Sequence, residues 1–518
     1  MPSGADFDFQ FGKSQSNASH VPRDGDRPLR ILIMGDFSGR GHRGLVAESD
    51  ELARRPVVAV DIDNFDQVFA RFAPTVNLPA SCDSAASTVV NFQDLDDFHP
   101  DRLFERLDLF HSLRDLRRRL LDPATFEEAA AKLRTTSADE ASEDSTAQPP
   151  QETTTGSESD GQTLSRLLGE TPTQSSATTP RETTVGVDLS ALIRDIVQSH
   201  IVPSAAPDQA QLVQSVDLAI SAEMRRVLHD PSFQAAESIW RGVHWLLAEL
   251  ELGPDLQLHL MDVTKTELLH DVDAAADGVT LKGVYQRVVD QEVSLAGGQP
   301  WSVIVGHYSF AAGEKDCQLL SALGHLASQA GGPFLAAASA SLLGCESIAA
   351  SPDPTAWKTP CDASTDSWRT LRQSPVAPWL GLALPRVLLR LPYGQKTDEL
   401  ERFCFEELSA AQEHENYLWG NPALACALLI GKSFQAQGWS MEPGDDLELG
   451  DLPAHSYESD GESQLQPCAE VCLTELAADS IMGHGVMTLM SYKNRNAVRL
   501  IRFQSLADLA QTLAGPWR

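Results

Sequence analysis

The chain has 518 residues, enough for two or three domains and a large buried core. Hydrophobic residues make up 42% and charged residues 22%, the balance of a globular protein. Asp plus Glu total 73 against 40 for Lys plus Arg, and a net charge of −33 repels nucleic acid and anionic membrane surfaces.

The N-terminal tail, 1–27, has no basic region followed by an apolar core, so no signal peptide is expected. The first block, 28–134, opens with the strand LRILIM. VVAVDIDNFDQVFARFAP begins as a strand and turns helical at Asn64, which is expected to cap the helix. STVVNF is a further short strand. DLDDFHPDRLFERLDLFHSLRDLRRRLLD and ATFEEAAAKLR repeat Leu, Phe and Ala at helical spacing. The block is expected to be a small α/β unit.

Residues 135–186 are rich in Ser, Thr, Glu and Pro, contain no aromatic side chain, and carry Arg166 and Arg181 among many acids. Such a segment cannot bury enough apolar surface to offset its ordering entropy, so a disordered acidic linker is expected. One island, TLSRLLGE at 163–170, places Leu164, Leu167 and Leu168 on one helical face. It reads either as a transient helix or as a docking peptide.

The second block, 187–518, opens with the helices VDLAISAEMRRVLHD and SFQAAESIWRGVHWLLAEL, the latter with Ser232 as expected N-cap. LQLHLMDV, PWSVIVGHYSF and PFLAAAS read as strands, CQLLSALGHLASQAG as a helix and NPALACALLIGKSFQAQGW as a buried helix. AEVCLTEL through GVMTLMSYKNRNAVRLIRF reads as short strands. No apolar run approaches the roughly 18–20 residues of a membrane span, so no membrane insertion is expected. Eight scattered cysteines suit reduced thiols and a cytoplasmic setting better than a disulfide scaffold.

Three patterns invite a chemical reading. Gly39, Gly41 and Gly44 have dinucleotide-binding spacing, but the strand ends at Met34 and Asp36 would set a negative charge beside a phosphate, so a turn is expected. Gly431-Lys432-Ser433 lacks the preceding glycine of a phosphate loop, because Cys426 stands there. Cys468, Cys472 and His484 lack a fourth ligand and a firm zinc spacing. His414, between two glutamates, suits hydrogen bonding better than catalysis. No catalytic constellation, cofactor or metal is therefore expected, which favours a structural or binding protein.

LRILIMGDFSGR, VAVDIDNFDQVFARFAPTVNL and FQDLDDFHPDRLFERLDLFHSLRDLRRRL together resemble the small sheath subunit (TssB, or VipA) of bacterial type VI secretion systems. LHDPSFQAAESIWRGVHWLL, QPWSVIVGHYSF, GGPFLAAASASLLG, WLGLALPRVLLRLPYG and HENYLWGNPALACAL resemble, in order, segments of the large subunit (TssC, or VipB). The resemblance marks Gly35, Asp36, Phe37, Gly39, Asn64 and Phe65 in the first block as structural positions. In the second it marks Trp240, Arg241, Gly242, Pro385, Arg386, Leu391, Pro392, Tyr393, Gly394, Trp419, Gly420 and Asn421. It implies α/β and α+β sheath-like domains fused through the linker and held as an intramolecular heterodimer.

The chain stops soon after Pro467-Cys468-Ala469-Glu470-Val471, whereas the large subunit continues into a handle sheet. This implies a sheath-capping, initiating or accessory component, with a full polymerising protomer or a cytoplasmic adaptor as alternatives. A stand-alone nucleotide-dependent enzyme is the contrasting class. The partners implied are sheath protomers or the baseplate, the inner tube, and a recycling AAA+ ATPase reached through Leu164, Leu167 and Leu168. ADFDFQFG, which alternates apolar and polar residues, reads either as a donor strand or as an unstructured tail.

Overall fold

A computed structural model describes residues 27–78, 88–134, 209–275, 280–358, 362–408, 414–459 and 461–517. The linker 135–186, its leucine island and ADFDFQFG lie outside the described residues. The strands are β1 (Leu29–Gly35), β2 (Val57–Val60), β3 (Thr75–Leu78), β4 (Thr88–Asn91), β5 (Leu256–Asp262), β6 (Val303–Phe310), β7 (Phe334–Ala338) and β8 (Leu380–Leu384). They continue with β9 (Val387–Leu388), β10 (Trp419–Gly420), β11 (Glu448–Leu449), β12 (His455–Ser459), β13 (Glu462–Gln466), β14 (Val486–Ser491) and β15 (Val498–Leu500). Nine of them form one mixed sheet in the order β11-β15-β14-β8-β7-β6-β1-β5-β2.

β1 lies inside this sheet. It runs parallel to β5, with Leu29 opposite Leu256 and Gly35 opposite Asp262, and parallel to β6, with Ile31 opposite Val303. All seven of its residues are buried. Apart from Arg30, whose guanidinium donates to the Gln299 carbonyl and to Glu292, the strand is apolar without polar alternation, as suits a parallel strand covered on both faces. Antiparallel neighbours close the sheet: β2 beside β5, and β15 with β11 beyond β14.

Helices cover both faces. The labelled ones are α1 (Phe65–Phe72), α2 (Pro231–Glu249), α3 (Lys265–Asp273), α4 (Glu314–Ala330) and α5 (Pro422–Gln437). Leu32 and Met34 belong to the same buried cluster as Phe310, Phe334 and Leu319, Leu320 and Leu323 of α4. By strand alternation Ile31, Ile33 and Gly35 face the opposite side, where a Cβ on Gly35 would strike Ile239 of α2. α5 is buried along nearly its whole length, as an apolar sequence without a polar face dictates.

The compact units cut across the sequence blocks. Among the described residues, one comprises those within 27–78, 89–103 and 224–517; the other comprises 88, 104–134 and 209–223. In the second unit, the helices Asp108–Leu121 and Phe126–Arg134 accompany the start of helix Gln209–Leu228. There Arg117 pairs with Asp217 at 2.6 Å and Gln209 donates to the Leu120 carbonyl at 2.6 Å.

Three local expectations change. Asn64 stands at the N-cap of α1 but makes no side-chain cap, because its Oδ1 accepts from the Asp61 amide within the preceding turn. Asp230, rather than Ser232, caps α2: its carboxylate accepts from the Ser232 and Phe233 amides, and Pro231 occupies the first helical position. AEVCLTEL is not a strand; Thr474 caps the helix Glu475–Gly483, and strands resume only at Val486.

Candidate functional site

The site is the joint where β1 and the segments after it meet the rest of the sheet. The turn leaving β1 is organised by two carboxylates. Asp262, at the end of β5, accepts from the Phe37 amide at 2.9 Å, the Ser38 amide at 3.2 Å and the Ser38 hydroxyl at 2.7 Å. Asp36 accepts from the Arg40 and Gly41 amides, each at 2.8 Å. The amides of the glycine loop are thus turned onto the protein's own acid. Gly39 has φ +70°, and a Cβ there would strike the Thr75 carbonyl. Burial pushes both Asp36 and Asp262 above the usual carboxylate range, and for Asp262 the neighbouring Asp36 adds to the rise.

Glu267 closes the far side of this turn. Its side chain is fully buried, forms a capping box with Thr264 on α3, and accepts from the Ala47 amide at 3.0 Å. Burial opposes its ionisation, but hydrogen bonds from Arg55 at 2.9 and 3.2 Å and the nearby Arg40 hold it below the usual range. Removing either arginine would leave a buried charge short of a partner.

An aromatic cluster lies beneath the turn. Trp240 of α2 is 0% exposed. Its ring centroid lies 4.5 Å from Phe69, 5.3 Å from Phe37, 5.8 Å from Phe72 and 5.9 Å from Phe65. Its Nε1 donates to the Phe37 carbonyl at 3.0 Å. On the same helix Gly242 has no side chain because a Cβ would strike Leu424 of α5.

Arg241, one turn from Glu237, joins a buried ion network. Glu237 accepts from Arg241 at 2.6 Å and from Arg390 at 2.8 Å, and Arg390 also donates to Glu407 at 2.7 and 3.0 Å. Burial opposes the charge on Glu237, yet Arg390 and Arg241 outweigh it and lower its pKa. Tyr393 receives Arg241 on its hydroxyl at 3.1 Å and donates its amide to Glu407 at 2.7 Å; burial pushes its phenol up to about 12. Leu391, Pro392 and Gly394 shape this loop. Arg390 donates to the Leu391 carbonyl, Thr397 to the Pro392 carbonyl, and a Cβ on Gly394 would strike Glu406.

A second network follows the cis peptide Leu384–Pro385. Arg386 donates to Glu415 at 2.9 and 3.0 Å and to Glu470 at 2.5 and 2.8 Å. Burial opposes the ionisation of Glu470, but His414 at 3.2 Å and Arg386 bring it down to about 2. His414, Glu415 and Glu470 are the one group among the described residues with metal-ligand geometry, and the Arg386 guanidinium already sits between the carboxylates. Trp419 donates to the His414 carbonyl at 2.9 Å, and a Cβ on Gly420 would press on Leu389. Asn421 caps α5 and donates to the Tyr308 carbonyl at 3.0 Å. Arg386, Glu415, Glu470, Trp419, Gly420 and Asn421 line a cleft of about 550 Å³ at the carboxyl ends of β6, β7 and β8.

The other chemical patterns are apart from this joint. Lys432 lies within α5 and pairs with Glu249 at 2.7 Å, while Ser433 donates to the Leu429 carbonyl. Cys468 faces the Leu452 carbonyl and burial raises its thiol to about 11; His484 contacts the Ser480 carbonyl. Leu164, Leu167 and Leu168 fall outside the described residues. Sequence reasoning missed Asp262, Glu267, Arg390 and Glu407. A charge inside an apolar run was the available signal for Asp262 in LQLHLMD and for Arg390 in VLLRLPYG; Glu267, in the helix Lys265–Asp273, and Glu407, in a loop, carried none of that kind.

Comparison with known proteins gives two family matches. Residues 210–507 match the VipB family, described as the tail sheath N-terminal domain, and residues 17–140 match the VipA family of the type VI secretion system. The chain is 30% identical over 312 residues to the type VI secretion system sheath protein TssC1 of Pseudomonas aeruginosa. The alignment covers 58% of this chain and 61% of that relative's length.

Proposed function

Because the chain belongs to the VipB tail sheath family of the type VI secretion system, with a VipA-like part in the same polypeptide, we propose that it serves as a pre-paired unit of the contractile sheath. The observation that carries this reading is the position of β1. A strand of the VipA-like part lies between two strands of the VipB-like part, so the two parts share one sheet and one core. Fusion supplies them in equal number and keeps them close, at an effective concentration in about the mM range for a tether of this kind.

In this reading the work is mechanical. Interlocked surfaces transmit contraction, and hydrolysis belongs to a separate AAA+ ATPase that engages Leu164, Leu167 and Leu168. Neighbouring protomers, the baseplate and the inner tube are the partners, in the bacterial cytoplasm. No helix among the described residues is long and apolar enough to cross a membrane. Capping, initiation or an accessory role is the narrower form of the proposal.

Negative-stain microscopy tests it. Long tubules from the purified protein would establish a polymerising protomer. Binding restricted to the ends of a sheath assembled from separate subunits would establish the capping or initiating form. Failure to associate with sheath in either format would overturn the proposal.

A further inference from the structure

Apart from the turn after β1 with its acids, one further polar contact joins the VipA-like part to the VipB-like part at the helix Pro100–Arg106. Asp101 places one carboxylate oxygen 3.0 Å from the Glu401 amide and the other 3.2 Å from the Arg402 amide. Two residues earlier, His99 sets its ring edge-on to Tyr393, with centroids 5.0 Å apart. The Asp101 amide donates to His99 Nδ1 at 3.2 Å, so the ring and the carboxylate are fixed relative to each other. A carboxylate on two consecutive backbone amides is a charge-selective contact: an acid fills it, an amide fills it less well, and a base is repelled.

The segments flanking the receiving amides are tied to the buried ion network. The Tyr393 amide donates to Glu407, and the Glu407 amide returns a bond to the Tyr393 carbonyl at 2.8 Å. The Gln395 amide donates to Glu406 at 3.1 Å, and Arg225 donates to the Glu406 carbonyl at 2.9 Å. Arg390 locks Glu407 against Glu237 from below. The buried ions thus fix Tyr393, the ring on which His99 packs, and Glu407, a few residues beyond the two receiving amides.

We propose that Asp101 is a pairing determinant: its carboxylate, received by the Glu401 and Arg402 amides, lets the large-subunit part select a small-subunit part that carries an acid at this position. The inference rests on the subunit-pair reading above, but it concerns pairing and not polymerisation.

The experiment keeps the full chain. A specific protease site is placed between residues 150 and 151, the folded protein is cleaved, and dissociation of the two fragments is followed by size exclusion at fixed moderate urea. Asp101→Asn should raise the dissociation constant about tenfold, the scale of a lost charged hydrogen bond. Asp101→Glu should recover part of the loss. Arg402→Pro, which removes one receiving amide, provides a second route. If the two groups act through one contact, Asp101→Asn should add little to Arg402→Pro. Fragments of Asp101→Asn that separate as wild type, an Asp101→Glu no better than Asp101→Asn, or fully additive losses in the double variant would each overturn the proposal. Loss of tubules with normal fragment pairing would instead count against the sheath reading alone.

Discussion

Trp240→Ala is the sharpest test of the joint. The side chain is fully buried and touches four phenylalanines, all of them in the VipA-like part, while Trp240 itself belongs to the VipB-like part. Truncating a core tryptophan costs about 3–5 kcal/mol through lost transfer energy and cavity. The Phe37 carbonyl, which accepts from Nε1, would be left unpaired at a further cost of about 1–3 kcal/mol. The sum is comparable with the about 5–15 kcal/mol that holds a domain folded. Trp240→Phe, which keeps a ring but removes the donor, should cost about 1–3 kcal/mol. Equilibrium urea unfolding by circular dichroism, combined with proteolysis at sites within 28–78, reads the outcome. Both probes should shift together, because β1 cannot leave the sheet without opening β5 and β6. A Trp240→Ala change below about 1 kcal/mol, within ordinary surface effects, would refute the reasoning. So would a transition in which 28–78 unfolds apart from the sheet.

Gly39→Val should destabilise by about 1–3 kcal/mol, since it combines a left-handed backbone with a clash on the Thr75 carbonyl. Calorimetric titration of the wild type with ATP or NAD should give no heat of binding; micromolar binding abolished by Gly39→Val would restore the nucleotide reading of the loop. Arg390→Met should cost about 3–5 kcal/mol by stranding Glu407 and leaving Glu237 with Arg241 alone, whereas combining it with Glu407→Leu should recover much of the loss in thermal melts. Glu470, with its folded pKa depressed to about 2, adds stability that is complete above the ordinary carboxylate value of about 4.3 and is lost as pH falls toward 2. Glu470→Gln should flatten that acid limb of a stability-against-pH curve. Asp36 and Asp262 run the other way: their pKa values are raised, so their contribution is present in acid and lost as pH rises through the folded values.

The periodic parts of the chain were legible for a physical reason. SVIVG and PFLAAAS are short apolar runs and LRILIM is one but for Arg30, the usual look of a parallel strand buried on both faces. The helices of 100–134 and 422–437 follow from apolar spacing or from apolarity throughout. The caps were harder. Asn64 and Ser232 both have the side chain an N-cap prefers, yet a neighbouring Asp61 amide and a neighbouring Asp230 took the available bonds. The hairpin of β12 and β13 escaped notice because HSYES and ESQLQ are polar on both faces and carry no apolar alternation.

The joint itself was illegible because its partners are far apart in sequence. GDFSGRG looks like a phosphate turn when read locally: Asp36 takes the Arg40 and Gly41 amides from within the loop, but nothing nearby in sequence shows what receives the Phe37 and Ser38 amides. The answer is Asp262, more than two hundred residues away, placed opposite Gly35 by the register of β1 on β5. The same register explains why an acid is tolerated at the end of an apolar strand: the turn of the VipA-like part supplies the three donors that Asp262 needs. Each side of the joint therefore contains a group that is costly alone. Asp262 would be a buried acid lacking donors, Glu267 would keep only the Thr264 amide, and the amides of 37, 38 and 47 would lack acceptors. Such reciprocal debts favour correct pairing over other apolar contacts, because a generic hydrophobic surface could cover β5 and β6 but could not satisfy those acids. That is the physical basis on which two subunit-like parts can share a sheet and still recognise each other.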